Sequence, residues 1–486
     1  MYTCHFMAAM FTPFFPHWRA RLAALGHRAQ TLRQKPLPHL EKLFSRLLPP
    51  GLLCPTEEGP NSRDRLYGLR CTFWAFLWQA LNPGAPCREA VRQIQALFCL
   101  AAGQAVDAGT SAYCQARARL PLSILSSARQ AAAEHAEKLL PENVRLWRGW
   151  RPKVLDGSTL SLADTPQNQA AYPQSASQKP GCGFPLLRLV GLFSLSSGTL
   201  LAYAKGNKHL AELPLLFRLR RWFQPGDLLV ADRGFASYVV IALLEKLGVA
   251  CLFRLHQARP HDLRQGIRLG KKDRLWVWSK PQQKPRYLPK SLWRRVPQEL
   301  IVRVLQVQLR VCGFRTQSVT LVTTLSDPET YPAGELAQLY LRRWRIELWW
   351  RHLKTTMGME VLRCQSPAMV HKELEMYLIA YNFIRCLIAE SAALYNQPVE
   401  QISFKGSVDT VRQYSPLLAQ ARSRKKQSRL REQLLQTLAS DLVPERPGRR
   451  QPRAIKRRQK PYPLLTKPRH LFREIPHQNA YRKDAQ

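Results

Sequence analysis

Gly226-Asp-Leu-Leu-Val-Ala-Asp232-Arg-Gly234-Phe235 is the stretch from which the rest of the chain can be ordered. Its apolar run suits a strand buried on both faces of a parallel sheet. The run ends on Asp232, and a glycine follows at the turn. A second short β-favouring run, Lys153-Val-Leu-Asp156-Gly157-Ser158-Thr159-Leu160, also sets a carboxylate beside a flexible glycine. A carboxylate at a strand end of an α/β sheet is fixed by the sheet and left open to ligand by the loops. An aspartate opening a turn also serves structure alone, by bonding backbone N–H groups. For either aspartate by itself the structural reading is the stronger one.

Around these two runs, residues 151–256 read as β-β-β-α-β-α-β. After the Asp156 strand come Leu187–Leu195 and Thr199–Tyr203, joined in hairpin fashion by Ser196-Ser197-Gly198. Glu212–Phe223 and Tyr238–Leu247 carry helix patterns on either side of the Asp232 strand, and Cys251–Leu255 is the next strand. Three antiparallel strands followed by alternating helix and strand is how a ribonuclease H-like sheet reads.

A third carboxylate sits in Tyr340-Leu-Arg-Arg343-Trp-Arg-Ile-Glu347-Leu-Trp-Trp-Arg-His-Leu-Lys354. On a helix turning about 100° per residue, Tyr340, Arg343, Glu347 and Lys354 fall within an arc of roughly 60°. A carboxylate there can hold a divalent metal, and the cations and phenol can grip phosphate oxygens. Alone, the segment reads equally as a solvated face with i,i+4 ion pairs such as Arg343 to Glu347.

Together, Asp156-Gly157, Asp232-Arg233-Gly234 and the Tyr340, Arg343, Glu347, Lys354 set resemble the DDE transposases of bacterial insertion sequences, in particular the insertion sequence 4 family. That family carries a Y-(2)-R-(3)-E-(6)-K helix, and the spacing is kept here without departure. The resemblance covers about Lys153 to Ala392, and Phe184-Pro-Leu-Leu-Arg188-Leu189 and Thr323-Thr324-Leu325 read like the family's flanking strands. It implies a ribonuclease H-like α/β core with a β-rich insertion, preceded by a helical DNA-binding domain and followed by a basic tail. It also implies Asp156, Asp232 and Glu347 as catalytic metal ligands. They would hold two divalent ions, Mg²⁺ by preference with Mn²⁺ as a substitute. Asp156 would bridge the ions, and the other two would each complete one. Tyr340, Arg343 and Lys354 would contact DNA phosphates.

The implied reaction is cleavage at element ends and strand transfer into target DNA, through a hairpin intermediate, by a homodimer in the synaptic complex. A hairpin needs an unstacked base, and an aromatic ring recovers about 1–3 kcal/mol by stacking on it. Relatives supply a tryptophan from the insertion; Trp276, Trp278 and Trp293 are the candidates, each with core packing as its simpler role. A ribonuclease H-like structure-specific nuclease would use the same carboxylates and stop at hydrolysis, although the Y-R-E-K spacing and the long insertion speak against it. A non-catalytic DNA-binding protein would account for the charge and not for the carboxylates.

Composition points the same way independently. The chain has 74 Lys+Arg against 33 Asp+Glu, a formal net charge of +41. Such an excess calls for a polyanionic partner, double-stranded DNA here, with an anionic membrane as the rival. Residues 421–486 hold 19 Lys/Arg and 5 Asp/Glu, so most of the excess lies elsewhere in the chain. No window reads as the long uncharged run of a spanning helix. The apolar Met1–Phe15 stretch is broken by His5 and Pro13 and shows no small-residue cleavage site. The expectation is a cytoplasmic protein acting on chromosomal or plasmid DNA. Eleven scattered cysteines without a C-x-x-C pair indicate free thiols, not a zinc ribbon or disulfide framework.

The expected organisation is a helical end-recognition domain over 1–150, the two halves of the core over 151–256 and 319–395, the β-rich insertion over 257–318, and a basic C-terminal region over 396–486. Within the first, helix patterns over Arg88–Ala101 and Ser111–Leu120 resemble a helix-turn-helix, in which Tyr113, Gln115, Arg117 and Arg119 face DNA. An ordinary helical bundle reads as well. Gly334–Met357 is expected as one signature helix, and Val370–Leu394 as a long amphipathic helix closing the fold. The chain after about Arg422 is expected to be a disordered phosphate-binding arm.

Overall fold

A computed structural model of the chain describes residues 38–54, 65–102, 106–256, 264–308, 318–421, 423–444 and 471. The Met1–Phe15 stretch and most of the Pro444–Leu471 arm lie outside the described residues. Helices fill the region before residue 150: α1 (Pro38–Phe44), α2 (Leu69–Leu81), α3 (Cys87–Ala102), α4 (Ser111–Arg119), α5 (Leu122–Leu139) and α6 (Glu142–Arg145). α2 is buried along most of its length because its sequence is apolar nearly all round. Asn82 closes it by donating from Nδ2 to the Trp78 carbonyl at 2.8 Å, and Gly84 turns the chain away with φ +89°.

Then follow β1 (Arg151–Leu162), α7 (Pro166–Ala171), β2 (Leu186–Ser194), β3 (Leu200–Asn207), α8 (Glu212–Arg218), β4 (Asp227–Ala231), α9 (Tyr238–Lys246) and β5 (Ala250–Arg254). This is the predicted order, with the short α7 added. The insertion contributes β6 (Ile267–Gly270), β7 (Asp273–Ser279), α10 (Lys290–Arg295) and β8 (Glu299–Gln308), and β9 (Ser318–Thr323) leads back. All join one sheet in the order β3-β2-β1-β4-β5-β9-β8-β7-β6. β1, β2 and β3 are antiparallel, while β1, β4 and β5 run parallel. That is the ribonuclease H-like arrangement. The insertion is no separate layer: it prolongs the same sheet through antiparallel pairs beyond β5.

The register of β1 against β4 is fixed by charge at its base. Asp227, fully buried, accepts from Arg151 Nε at 2.9 Å and Lys153 Nζ at 2.6 Å. A buried carboxylate needs such partners, and losing them is costly. The clamp sets Arg151 opposite Asp227 and Leu155 opposite Ala231. β4 then ends, so its side of β1 is bare at Asp156, until β10 (Val361–Leu362) pairs with Ser161 and Leu162.

One face of the sheet, with Leu155, Leu192 and Leu229, packs on α8 and α9. The other, with Val154, Leu160 and Val230, joins a core shared with the N-terminal helices and the C-terminal third of the chain. That third is α11 (Ala333–Arg342), α12 (Arg345–Arg351), a π turn (His352–Thr356), β10, α13 (Pro367–Leu394), α14 (Phe404–Gln420) and α15 (Arg424–Ser440). Three expectations are corrected here. The signature segment is not one helix: Arg343, Trp344, Ile346 and Glu347 donate backbone bonds to the third residue before them, which tightens the chain between α11 and α12.

Next, α13 is not amphipathic but buried from Leu374 to Ala392 nearly without interruption. It is long and apolar enough to cross a bilayer, yet 83% of its apolar window is buried, as in the core helix of a globular fold. Ala128, Ala132 and Ala136 of α5 lie fully buried, and Arg129 pairs with Glu375 of α13 at 3.0 Å. Finally, the chain after Arg422 is not a disordered arm throughout. α15 begins on a Ser423 cap and buries Leu434, Leu435 and Leu438. Those three leucines supply an apolar stripe that the charge count concealed.

Candidate active site

Asp156 and Asp232 occupy successive positions just beyond the last β1–β4 pair, Leu155 with Ala231. By strand alternation both side chains leave the sheet on the face shared with α11 and α12. Asp232 opens a short 3₁₀ turn (Arg233–Phe235), but its side chain makes no cap hydrogen bond. The purely structural role open to it in sequence is therefore not the one it plays. Asp156 is half-buried, and burial pushes its carboxyl up to about 6. The Gly157 N–H and the Arg343 guanidinium pull it back, while the Glu212 and Asp232 carboxylates raise it further.

Tyr340 and Arg343 arrive from the end of α11. Tyr340 is fully buried and Arg343 is 6% exposed, with the guanidinium carbon 5.5 Å from the Tyr340 ring centroid and 5.0 Å from that of Trp344. Burial raises the Tyr340 phenol to about 12, opposed by Arg343 and Arg254 and reinforced by Asp232. Tyr340 Oη and Arg343 Nε are both buried without a hydrogen-bond partner of normal geometry. Orphaned donors of this kind beside two carboxylates are what a bound phosphate would satisfy. Lys354, in the π turn, donates from Nζ to the Thr159 carbonyl at 3.1 Å, three residues beyond Asp156 on β1. The turn itself closes through Met357 N–H to the His352 carbonyl at 2.9 Å. π turns favour functional positions.

Glu347 departs from the single-face expectation. The tightened turns after Tyr340 leave Tyr340 and Arg343 facing inward, while Glu347 is exposed on α12. Among the described residues no three His, Cys, Asp or Glu side chains are gathered closely enough to chelate an ion in this conformation. The donor set nonetheless suits a hard divalent cation. It is all carboxylate oxygen, and the Asp232 carboxylate raises the proton affinity of Asp156. Two residues at the site have no signal in the spacing: Glu212 at the start of α8, and Arg254 at the end of β5, whose charge reaches Tyr340. In sequence the first reads as an ordinary first-turn acid and the second as a strand-end cation.

The other candidates separate by burial. Arg117 is 7% exposed, lies 4.2 Å over the Phe76 ring, and donates to Cys87 Sγ at 2.8 Å and Cys364 Sγ at 3.0 Å. Tyr113 is fully buried, with its hydroxyl on Gln79 Oε1 at 2.6 Å. Both face inward on α4 and fasten it to the core, which corrects their placement towards DNA. Gln115 is exposed and Arg119 half-exposed on the same helix. Trp278 is buried in the core on the α9 face and is not free to stack on a base. Trp276 and Trp293 are partly buried against that core, and Lys280 Nζ sits 4.4 Å from the Trp293 ring centroid.

Residues 151–383 match the family described as Transposase DDE domain. Over 440 residues the chain is 28% identical to the transposase InsG for insertion sequence element IS4 of Escherichia coli (strain K12), covering 85% of this chain and 91% of that protein. Superposition on the cryo-EM structure of the piggyBac transposase synaptic complex with hairpin DNA gives a TM-score of 0.41 at 9% identity, covering 85% of this chain and 86% of that one.

Proposed function

We propose that the chain, whose residues 151–383 match a DDE transposase domain, is a transposase of the insertion sequence 4 family that carries out cut-and-paste transposition with Asp156, Asp232 and Glu347 as its catalytic carboxylates. The observation that supports this most is that Asp156 and Asp232 each follow directly on the last β1–β4 pair, close enough to interact electrostatically, with the orphaned Tyr340 Oη and Arg343 Nε within electrostatic reach. Oxygen-only donors and a need for retained water favour Mg²⁺, with Mn²⁺ as a substitute. When bound, a pair of such ions neutralises charge on the attacking and leaving oxygens of a phosphodiester.

The chain's own residues do the positioning. Asp156 and Asp232 are set by strand register, and Glu347 swings in on α12 once DNA is held. Arg343 and Tyr340 receive the phosphate flanking the cut, and Lys354 steadies the adjoining one. Water first displaces a 3′-oxygen at the element end. The freed 3′-hydroxyl then attacks the opposite strand, expelling its 5′-side partner and closing a hairpin. Hydrolysis reopens the hairpin before the 3′-hydroxyl attacks target DNA. Trp276 or Trp293 offers the ring for the unstacked base. Gln115 and Arg119 read the element ends, two protomers synapse them, and the enzyme works on cytoplasmic DNA.

The test is a joining assay on pre-cut and uncut end duplexes taken from the inverted repeats flanking the gene. Wild type should nick, form hairpin and join in Mg²⁺, while Glu347→Gln should bind ends and do none of these. A wild-type protein that nicks without joining is a structure-specific nuclease instead. Normal strand transfer by Glu347→Gln removes that residue from the site.

A further inference from the structure

We propose that a cavity beside α4 binds the phosphate of a ligand about the size of a mononucleotide. The cavity holds about 890 Å³, within the range of small-molecule sites, and lies between α2, α3 and α4 and the segments that lead into α7 and α13. Its nearest residues on the β1 side follow Leu162, which stands on the order of 20 Å along that strand from Asp156. The site is therefore separate from the catalytic carboxylates and does not depend on their role.

The basis is a buried cation without an anionic partner. Arg117 lines the cavity and is only 7% exposed. Its Nη atoms reach Cys87 Sγ, Cys364 Sγ and, at 3.5 Å, Gln79 Oε1, while its Nε has no partner. Thiols are weak acceptors. Fastening α4 thus leaves the charge itself unanswered, and a buried charge is costly until a counter-ion meets it.

The rest of the wall favours an anion as well. Arg363 lines it and commits Nη1 to the Gly84 carbonyl. Glu373 lines it too, but both its oxygens accept from the Arg363 and Cys364 backbone N–H groups, at 2.9 to 3.1 Å. Two guanidinium groups against one carboxylate leave the wall positive. The N-termini of α3, at Cys87, and of α13, after Ser366, open on the same space. Their first-turn N–H groups add positive potential there. Tyr377 contributes a hydroxyl with no partner among the described residues. Pro86 and Met369 supply apolar wall against which a nucleoside can pack.

The experiment is calorimetric titration of the full-length protein, free of DNA and metal, with deoxyadenosine monophosphate, inorganic phosphate and a short 5′-phosphorylated single strand. Iodoacetamide labelling read by peptide mapping locates the ligand, since Cys87 and Cys364 line the cavity and the exposed Cys54 does not. Bound nucleotide should slow labelling of Cys87 and Cys364 and leave Cys54 unchanged. Arg117→Gln should weaken binding about tenfold or more, and Tyr377→Phe about threefold. Circular dichroism and Tm check folding; Tyr377→Phe removes only an unpartnered hydroxyl, so it carries the test if Arg117→Gln does not fold. Arg343→Gln should alter neither affinity nor thiol protection.

Tighter binding of the free nucleotide would mark a small-molecule site, and tighter binding of the single strand a seat for a DNA terminus; either supports the phosphate site. No binding of any probe overturns it. So does binding that leaves Cys87 and Cys364 unprotected, or that is lost in Arg343→Gln and kept in Tyr377→Phe. Inorganic phosphate binding as tightly as the nucleotide would overturn the assigned ligand size.

Discussion

The strand-borne and helix-borne halves of this site are held by different means. Asp156 and Asp232 sit at the end of a parallel pair whose register is locked by a fully buried Asp227 with two cations. Glu347 sits on a helix that starts after a tightened break and ends in a π turn, and the nearby Arg345–Glu400 ion pair is partly exposed, at 26% and 41%. One half is fixed before any substrate arrives. The other is built from turns whose hydrogen bonds rearrange at small cost. An enzyme of the proposed kind would have to open around a duplex and then assemble its chemistry, and this division suits both demands.

The comparison breaks first at the carboxylates themselves. Asp156→Asn, Asp232→Asn and Glu347→Gln should each lower cleavage and joining by about a thousandfold, since each loss removes several kcal/mol of charge stabilisation. Gel quantification of nicked and joined products measures it, and a Glu347→Gln enzyme that joins normally would leave only the strand half functional.

A smaller effect should separate the two halves in stability. Asp227→Ala leaves two cations facing a void at the base of β1 and should cost about 3 kcal/mol in urea unfolding. Arg345→Ala removes an exposed pair and should cost about 0.5 kcal/mol. Equal costs would mean that the helix half is as firmly held as the strand half.

Phosphate contact should appear as a selective loss. Arg343→Ala is expected to reduce hairpin formation by about tenfold and the first nick by less, because the bent backbone depends more on a charge-assisted grip. Equal loss in both steps, seen in a time course on labelled ends, would assign Arg343 to metal-site geometry instead.

A further effect is a pH-dependent gain. The Asp156 carboxyl is raised in the fold from 3.8 to about 6. The native state therefore binds the extra proton between those values, and metal-free stability falls as pH rises through that window. Asp156→Asn should stabilise the metal-free protein by about 1–2 kcal/mol at neutral pH, after allowance for solvent screening. The gain should disappear below about pH 4, where both states are protonated. Thermal melts from pH 4 to 8 in the presence of a chelator test it; a gain that does not vary with pH would be packing, not charge.

Much of the core was legible because it is written in short-range patterns. The Asp232 strand is apolar on both faces since helices cover both, and the Ser196-Ser197-Gly198 hairpin announces itself by turn chemistry. The break between Tyr340 and Glu347 was not legible, because 3₁₀, α and π turns share residue preferences and differ only in which carbonyl receives each N–H. Arg117 misled for a related reason. Its charge suits a groove-facing helix, yet α4 turns it onto Phe76 and two thiols, where its stem and planar head are worth more as packing.

By itself the sequence determined the order of strands and helices through residues 151–256, the acid just beyond the Asp232 strand, the Y-R-E-K spacing and the preference for a polyanion, while Asp156 proved to lie within β1 and not at its end. These depend on local periodicity, turn residues and net charge, which need no knowledge of distant contacts. Only the tertiary structure decided that the insertion prolongs the sheet, that Trp278, Tyr113 and Arg117 are interior, and that Glu212 rests over Gly157. Each of those is a meeting of residues far apart in the chain, set by which strand edges remain unpaired and which side chains the packing encloses.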